Sequence, residues 1–345
     1  MFRFDFGESE EMSGGLVPYH LRPNKAVDRY LFVELLSKVN RVVSIDSYTY
    51  VGFGGPFLED FKLIHSYFGN KKMLSIEGNF NVWKRQTFNL PLTCIECFQQ
   101  TSGDFIASYS IQGNAIIWLD YASPRELRVQ VQEFESLLAK LQTYDVVKIT
   151  LNANPDTLRA RDSINKEGKR ETTEERNTKR LQKLSGRLGE YLPQETTAEM
   201  MTLDDLPQVL CRVIEFAANK ALRGRSEEVF QPLTSFVYSD SAHQMLTITG
   251  IILPGNEVRE FFRKTAIRKW RLSATNWRTI HKIRLPELTA REKLFIDKQL
   301  PKSTGRQIQK KLKFLFDEDE EKSLEIIKSY VTFYRHYPNY HRVVF

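Results

Sequence analysis

Glycine and carboxylate residues follow four successive strand-like stretches of this 345-residue chain. The first stretch ends in the glycine cluster VGFGG at 51–55, and the next three end at or just before Glu77, Asp104 and Asp120, the last followed by Tyr121. Glycine permits positive φ and, lacking a Cβ, lets a ligand approach the backbone. A carboxylate at a strand tip can accept hydrogen bonds from ribose hydroxyls. Because the carboxyl ends of parallel strands lie at one edge of a sheet, we expect these residues to form one ligand site.

Each of these residues also has a structural interpretation when it is taken alone. The glycine cluster could be only a tight turn, and Glu77, Asp104 and Asp120 could each cap the helix that follows. The cluster is neither a full dinucleotide fingerprint nor a Walker phosphate loop, since no GK[ST] follows it. The succession of four such strand ends favours a common site over four separate caps.

The elements that must position these residues alternate between strands and helices from residue 48 onward. Strands are predicted at 49–54, 72–77, 92–98, 114–121 and 144–152. Helices are predicted between them at 57–68, 81–89 and 124–142. This alternation implies parallel pairing, right-handed crossovers and helices on both faces of the sheet. A helix at 203–225 and an antiparallel hairpin at 233–254 follow, and the hairpin would close the sheet.

Three regions are predicted along the chain. Residues 1–47 form an N-terminal segment with a lid helix at 22–40, 48–254 form the main α/β domain, and 255–345 form a basic, aromatic, mainly helical C-terminal extension. Within the main domain, 156–190 is almost wholly polar or charged, which predicts an exposed insertion.

The start of the lid helix carries a polar and basic run, YHLRPNK. Arg22, Asn24 and Lys25 could reach the ligand site from there and are candidates for substrate binding. A helix start that simply faces solvent is the alternative interpretation.

The motifs YVGFGG, SIE, SGDF and IIWLDYAS together resemble motifs I to IV of class I S-adenosylmethionine-dependent methyltransferases. The hairpin at 233–254 resembles the sixth and seventh strands of that fold, and the chain is similar to bacterial O-methyltransferases over about 48–254. The resemblance implies a Rossmann-like seven-stranded sheet, mostly parallel with an antiparallel hairpin at its end. It also implies S-adenosyl-L-methionine as cofactor and methylation of an unidentified acceptor.

The resemblance also assigns roles to residues of this chain. It implies that the cofactor would be bound by Gly52, Phe53, Gly54, Gly55, Glu77, Asp104 and Phe105. Within that set the glycines would lie close to the methionine moiety, Glu77 would hold the ribose and Asp104 the adenine. Asp120 and Tyr121 would face the transferable methyl group as the catalytic residues.

The nature of the acceptor is only partly restricted by the sequence. The [DNS]PP[YF] tetrapeptide of amino-group methyltransferases is replaced by DYAS, which disfavours DNA adenine methylation, and no Pro-Cys pair supports cytosine-C5 chemistry. An oxygen nucleophile needs a general base or a metal, and Asp120 is the candidate base, polar positioner or single metal ligand. No metal site is expected from Cys94 and Cys97, because only Cys211 remains and no second pair exists.

Composition adds limits on partners and location. The net charge of +7 and pI near 9.1 permit a nucleic-acid partner without requiring one. No apolar run of transmembrane length occurs, the N-terminus lacks a signal pattern, and three cysteines make a disulfide framework improbable. A cytoplasmic protein is therefore expected, and the resemblance to O-methyltransferases implies a bacterial one.

The segment 255–345 mixes lysine and arginine with aromatic residues. This extension could therefore contact nucleic acid, a protein partner or a second copy of the chain. An alternative function follows: a catalytically inactive, methyltransferase-like module that binds through the extension. An NAD-type oxidoreductase is a further alternative, and it would need the longer glycine fingerprint that is missing.

Overall fold

A single mixed sheet organises the protein, for which we use a computed structural model that describes residues 22–159, 171–240 and 243–338. The sheet has eight strands in the order β3-β2-β1-β4-β5-β7-β6-β8. The strands are β1 (Thr49–Gly52), β2 (Met73–Glu77), β3 (Ile95–Gln99), β4 (Ala115–Asp120), β5 (Val146–Asn152), β6 (Glu228–Asp240), β7 (His243–Pro254) and β8 (His281–Ile283).

The direction of the strands confirms the expected fold class, with one correction to the strand count. β1 to β5 are parallel neighbours, whereas β7 lies antiparallel to both β5 and β6. An eighth strand was not expected: β8 comes from the C-terminal region and pairs in parallel with β6, His281 opposite Phe236. Three residues are too few for the alternating pattern that identifies a strand in a sequence.

Helices cover both faces of the sheet and extend beyond it. They are α1 (Pro23–Val39), α2 (Glu59–Phe68), α3 (Phe80–Phe88), α4 (Ser102–Ala107), α5 (Leu127–Lys140), α6 (Thr173–Leu188), α7 (Leu206–Ala221), α8 (Val258–Thr265), α9 (Ala290–Asp297), α10 (Gly305–Leu312) and α11 (Glu320–Phe333). One face packs against α4 to α7 and the other against α1, α2 and α8. Pro23 begins α1, where its missing N–H costs nothing.

The polar stretch 156–190 is not simply an exposed insertion. Its residues Thr173–Leu188 form α6, which begins with a capping box between Thr172 and Glu175. Leu184 and Leu188, spaced one helical turn apart, are buried in the core shared with α5 and α7. The apolar stripe of α6 is narrow, so the charged remainder of the helix hides it in the sequence. Residues 160–170 lie outside the described residues.

The C-terminal region folds back over α1 rather than standing apart. A third core joins Val27 and Leu31 of α1 to residues of α9, α10 and α11. A capping box of Thr289 and Glu292 begins α9. Of the predicted N-terminal segment, residues 1–21 lie outside the described residues, as does the terminus beyond residue 338.

Candidate functional site at the carboxyl edge of the sheet

The register places the predicted strand ends side by side. Gly52 at the end of β1 lies opposite Ser75 of β2 and Trp118 of β4. Glu77 at the end of β2 lies opposite Gln99 at the end of β3. The start of α4, Glu77, the glycine turn and the end of β4 therefore follow one another in that order along a single edge.

Two glycines of the turn are required by the protein itself. A Cβ on Gly54 would lie 2.3 Å from Leu58 Cδ2 and 2.8 Å from Ser75 Oγ. The Gly54 N–H also donates to Ser75 Oγ at 3.2 Å. Gly55 has φ 50°, which side-chain-bearing residues rarely adopt. The tight-turn interpretation thus holds for these two positions, while Gly52 and Phe53 precede the turn at the edge.

Glu77 is half-buried at the tip of β2, and it does not cap the next helix. Its Oε1 accepts the Asn79 N–H at 2.7 Å, and it is Asn79 whose side chain accepts the first amides of α3. Within the described part of the chain, Glu77 Oε2 accepts no hydrogen bond. Burial raises the pKa of Glu77, and the Asn79 amide partly opposes that shift. This carboxylate has an oxygen left for a ligand hydroxyl.

Asp104 takes part in the start of α4. Thr101 caps this helix, since its Oγ1 accepts the Asp104 N–H at 3.1 Å while its hydroxyl donates to Asp104 Oδ2 at 2.7 Å. The carboxylate is exposed, so the capping interpretation accounts for one of its oxygens only. Phe105 is buried and packs edge-to-face against Tyr109, with ring centroids 5.8 Å apart. Its ring therefore belongs to the core under the site.

Asp120 at the end of β4 pairs with Lys25 of α1. Lys25 Nζ lies 2.9 Å from Asp120 Oδ2, and the two side chains are only 7% and 13% exposed. Burial alone would raise the pKa of Asp120, but Lys25, Arg29 and a hydrogen bond with Thr150 outweigh it and hold that pKa below its ordinary value. The structure thus joins a predicted substrate-binding residue to a predicted catalytic one, and Asp120 is a carboxylate at neutral pH.

Tyr121 turns its hydroxyl away from this ion pair. The hydroxyl donates to Glu133 of α5, and burial together with that carboxylate raises the pKa of Tyr121 well above its ordinary value. The ring packs edge-to-face against Phe53, with centroids 5.5 Å apart. At this edge Tyr121 contributes its ring, which supports the loop after β1, and its hydroxyl is not placed to accept a proton.

Asn24 links the start of α1 to β6 and to the segment after β8. Its Nδ2 donates to the Ser239 carbonyl at 3.1 Å, and its Oδ1 accepts the Leu285 N–H at 2.9 Å. Both ends of the amide are therefore used within the protein. Arg22 precedes the helix, is half-buried, and accepts the Ala26 N–H on its carbonyl.

A buried charge network beneath α1 was not predicted. Arg29 lies 3.3 Å from Asp60 and 3.6 Å from Glu59, both in the first turn of α2. The Tyr50 hydroxyl also donates to Asp60 at 3.3 Å. Burial raises the pKa of Asp60, and Arg29 opposes that shift. The charges of Lys25 and Asp120 also affect the pKa of Asp60. This network therefore lies close to the Lys25–Asp120 pair.

A second buried pair holds α1 against the centre of the sheet. Lys148 Nζ of β5 lies 2.7 Å from Asp28 Oδ2, and both side chains are almost fully buried. Thr247 donates to the other Asp28 oxygen at 3.0 Å, and the ammonium lies over the Trp118 ring at 4.1 Å. The signal was present in the sequence: a lysine interrupts the apolar run DVVKITL, and KAVDR places three charges on one face of α1.

The described residues contain no group of three or more histidine, cysteine or carboxylate side chains that could hold a metal ion. None of their helices is both long and apolar enough to cross a membrane. A surface groove of ≈ 310 Å³ lies elsewhere, beyond β8, between the segment that follows that strand and α11.

Comparison with known proteins identifies the family of this chain. The family described as "Putative O-methyltransferase" matches residues 17–345, which is nearly the whole chain. No curated protein sequence matches.

Solved structures of similar shape include the N-methyltransferase NodS of Bradyrhizobium japonicum WM9. It is 9% identical, with a TM-score of 0.37, and the match covers 66% of this chain and 97% of that one. Another is Trm1 of Pyrococcus horikoshii in complex with S-adenosyl-L-methionine. It is 11% identical, with a TM-score of 0.44, over 74% of this chain and 60% of that one.

Proposed function

Since the chain belongs to the family described as "Putative O-methyltransferase", we propose that it transfers a methyl group from S-adenosyl-L-methionine to an oxygen atom at the carboxyl edge of its sheet. The observation that carries this proposal is the arrangement around the glycine turn. Glu77 lies on one side of the turn, and its Oε2 accepts no hydrogen bond from the residues that the structure describes. The Lys25–Asp120 ion pair lies on the other.

The residues along this edge fit the proposed cofactor. Glu77 Oε2 can accept hydrogen bonds from a ribose diol, as a carboxylate at this position does in nucleotide-binding sheets. The exposed Asp104 carboxylate keeps one oxygen for an adenine amine. Gly52 and Phe53 present backbone at the end of β1, close to where the methionine moiety would lie. When bound, the cofactor supplies an electrophilic methyl group: a lone pair of the acceptor oxygen forms the new C–O bond and the C–S bonding pair returns to sulfur.

Asp120 would then hold the acceptor and take its proton. Its carboxylate is ionised at neutral pH because Lys25 stabilises the charge, so it can accept a hydrogen bond from an acceptor hydroxyl. A carboxylate with a lowered pKa is a weak base, but the hydroxyl proton becomes strongly acidic as the oxygen is alkylated, so Asp120 suffices as acceptor. Lys25 is a positioning residue in this account, since it fixes both the charge and the direction of the Asp120 side chain.

Isothermal titration with S-adenosyl-L-methionine tests the cofactor site. We expect Glu77→Ala to abolish binding, because the ribose would lose its carboxylate partner. The matched control is Glu96→Ala, an exposed carboxylate on the neighbouring strand β3, which should bind as the wild type does. No binding by the wild-type protein would refute the cofactor and favour the inactive binding module.

We also propose a cytoplasmic location in a bacterium, which the free thiols of Cys94, Cys97 and Cys211 support. Contact of 255–345 with nucleic acid, a protein partner or a second copy stays a prediction.

A further inference from the structure

One face of α6 carries a row of cations. Arg176, Arg180, Lys183 and Arg187 follow one another at intervals of four, three and four residues, which places them on a single helical face. Lys183 is exposed and Arg176 and Arg187 are half-buried, whereas Arg180 is buried and paired with Asp156. At 1.5 Å per residue, the row extends over about 16 Å. We call these four residues the α6 cation row.

The Arg187 end of the α6 cation row contacts the loops that follow β4 and β5. Arg187 donates to the Pro124 carbonyl at 2.8 Å and to the Thr157 carbonyl at 3.3 Å. Pro124 belongs to the loop after β4, which begins directly after Asp120, and Thr157 to the loop after β5. Arg187 thus ties the two loops together at the carboxyl edge, and the row lies beside the proposed methyl-transfer site.

Lys183 continues this contact, since its Nζ donates to the Arg159 carbonyl at 2.9 Å. The exposed Arg125 of the β4–α5 loop and the exposed Arg159 of the loop after β5 add two further cations to the same surface. A ligand lying on the row would therefore meet positive charge from three separate segments of the chain.

Carboxylates of the described residues pair with only part of the positive charge on this surface. Asp156 pairs with Arg180 at 2.6 Å and with Arg159 at 3.1 Å. By contrast, Arg125, Lys183 and Arg187 have no carboxylate partner within residues 22–159, 171–240 and 243–338. Burial and, to a smaller extent, repulsion from Arg125 lower the pKa of Arg187. Burial and repulsion from Arg187 and Arg125 likewise lower the pKa of Lys183. Cations held so close without counter-charges favour a polyanionic ligand.

We propose that the exposed cations of this surface bind the phosphate backbone of RNA, and that the methyl acceptor is a ribose 2′-hydroxyl of that RNA. These cations are Arg125, Arg159 and Lys183, with the half-buried Arg187 beside them. The proposal rests on the proposed function, which requires an oxygen nucleophile. Every nucleotide of RNA carries such a hydroxyl and none of DNA does. Exposed cations from three separate segments suit a strand better than a single phosphate, because successive phosphates can each meet a different cation.

Binding of a fluorescein-labelled single-stranded RNA, followed by anisotropy against salt concentration, tests this surface. The variant is Arg125→Glu/Lys183→Glu, which changes two exposed side chains. At about 100 mM salt we expect it to bind roughly tenfold more weakly or worse, with the slope of log K against log salt reduced by about 1.4 for two lost cations. The matched control is Lys71→Glu/Lys72→Glu, which makes the same change of charge just before β2, at the opposite edge of the sheet. It should stay within about twofold of the wild type.

A second pair of measurements separates this inference from the proposed function. Isothermal titration with S-adenosyl-L-methionine should give the same affinity for wild type and Arg125→Glu/Lys183→Glu, which also shows that the variant is folded. Labelled methyl groups should enter RNA and not DNA of the same sequence, and the variant should lose this incorporation.

Several results would overturn the RNA proposal while leaving the cofactor site intact. They are cofactor binding without RNA binding, equal weakening in the Lys71→Glu/Lys72→Glu control, or equal methylation of DNA. Competition by poly-glutamate as effective as that by RNA would assign the surface to an acidic protein instead. Loss of RNA binding in Arg268→Glu/Lys269→Glu, with binding retained in the α6 variant, would assign it to the C-terminal region.

Discussion

Replacing Lys25 by methionine tests the ion pair on which the site depends. The side chain keeps its length, but its charge is lost from a position 2.9 Å from Asp120 Oδ2. At an effective dielectric constant of about 20, two charges at this distance attract each other by about 6 kcal/mol. Desolvation of both groups offsets much of this. Removing one partner of a buried pair typically costs about 3–5 kcal/mol, since the other charge remains buried. Arg29 also stabilises Asp120, so we expect Lys25→Met to lower the free energy of unfolding by about 3 kcal/mol.

Urea unfolding measures this loss, and a second variant isolates its cause. In Lys25→Met/Asp120→Asn no charge is left unpaired, so we expect a smaller loss, about 1 kcal/mol. The control Lys72→Met removes an exposed lysine and should change the free energy of unfolding by less than about 0.5 kcal/mol. If the double variant is as unstable as the sum of its two single changes, the ion-pair reasoning is refuted.

The same pair gives a pH dependence. The pKa of Asp120 is lowered in the folded protein, so its contribution to stability is present above the unfolded pKa and disappears as the pH falls through the folded one. In Lys25→Met the effect of burial dominates, so the pKa of Asp120 rises. Protonation of Asp120 at low pH then removes the unpaired buried charge. The stability difference between wild type and variant should therefore be largest near pH 7 and shrink below about pH 4. A difference independent of pH would contradict this assignment of charge.

Two further substitutions separate packing from chemistry. Gly54→Ala places a methyl 2.3 Å from Leu58 and should cost about 1–3 kcal/mol of stability. Its control, Gly186→Ala, meets open space and should not destabilise the protein. Equal urea midpoints for the two variants would contradict tight packing around Gly54. Tyr121→Phe removes the hydroxyl that donates to Glu133 and should destabilise by about 1–3 kcal/mol, yet leave methyl transfer within about threefold of wild type. A loss above about a hundredfold would restore Tyr121 as a catalytic residue.

The sequence identifies the strand ends because parallel strands bring distant residues to one edge by topology alone. Glycine at the end of β1 and carboxylates at or after the next three strands therefore fall in one row without knowledge of any side-chain contact. The sequence does not show which side-chain oxygens at this edge are already used in hydrogen bonds within the protein. Only the structure shows that Asn79, not Glu77, caps α3, and that Tyr121 turns its hydroxyl to Glu133.

Contacts across the sheet face are harder to predict than strand order. Lys25 meets Asp120, and Asp28 meets Lys148, only because α1 lies on the sheet in one register. The sequence around each residue does not encode that register, although a charged residue in an apolar run indicates that some partner must exist. β8 and α6 were missed for a different reason: the first is too short to show a period, and the second hides a narrow apolar stripe among charges.

A crystal structure of the complex with S-adenosylhomocysteine would show whether the carboxyl edge of the sheet is the cofactor site. We expect the ribose hydroxyls within hydrogen-bond distance of Glu77, the homocysteine beside Gly52 and Phe53, and the sulfur directed toward the Lys25–Asp120 pair. A nucleoside bound anywhere else, or bound here with Glu77 and Asp120 both out of reach, would contradict it.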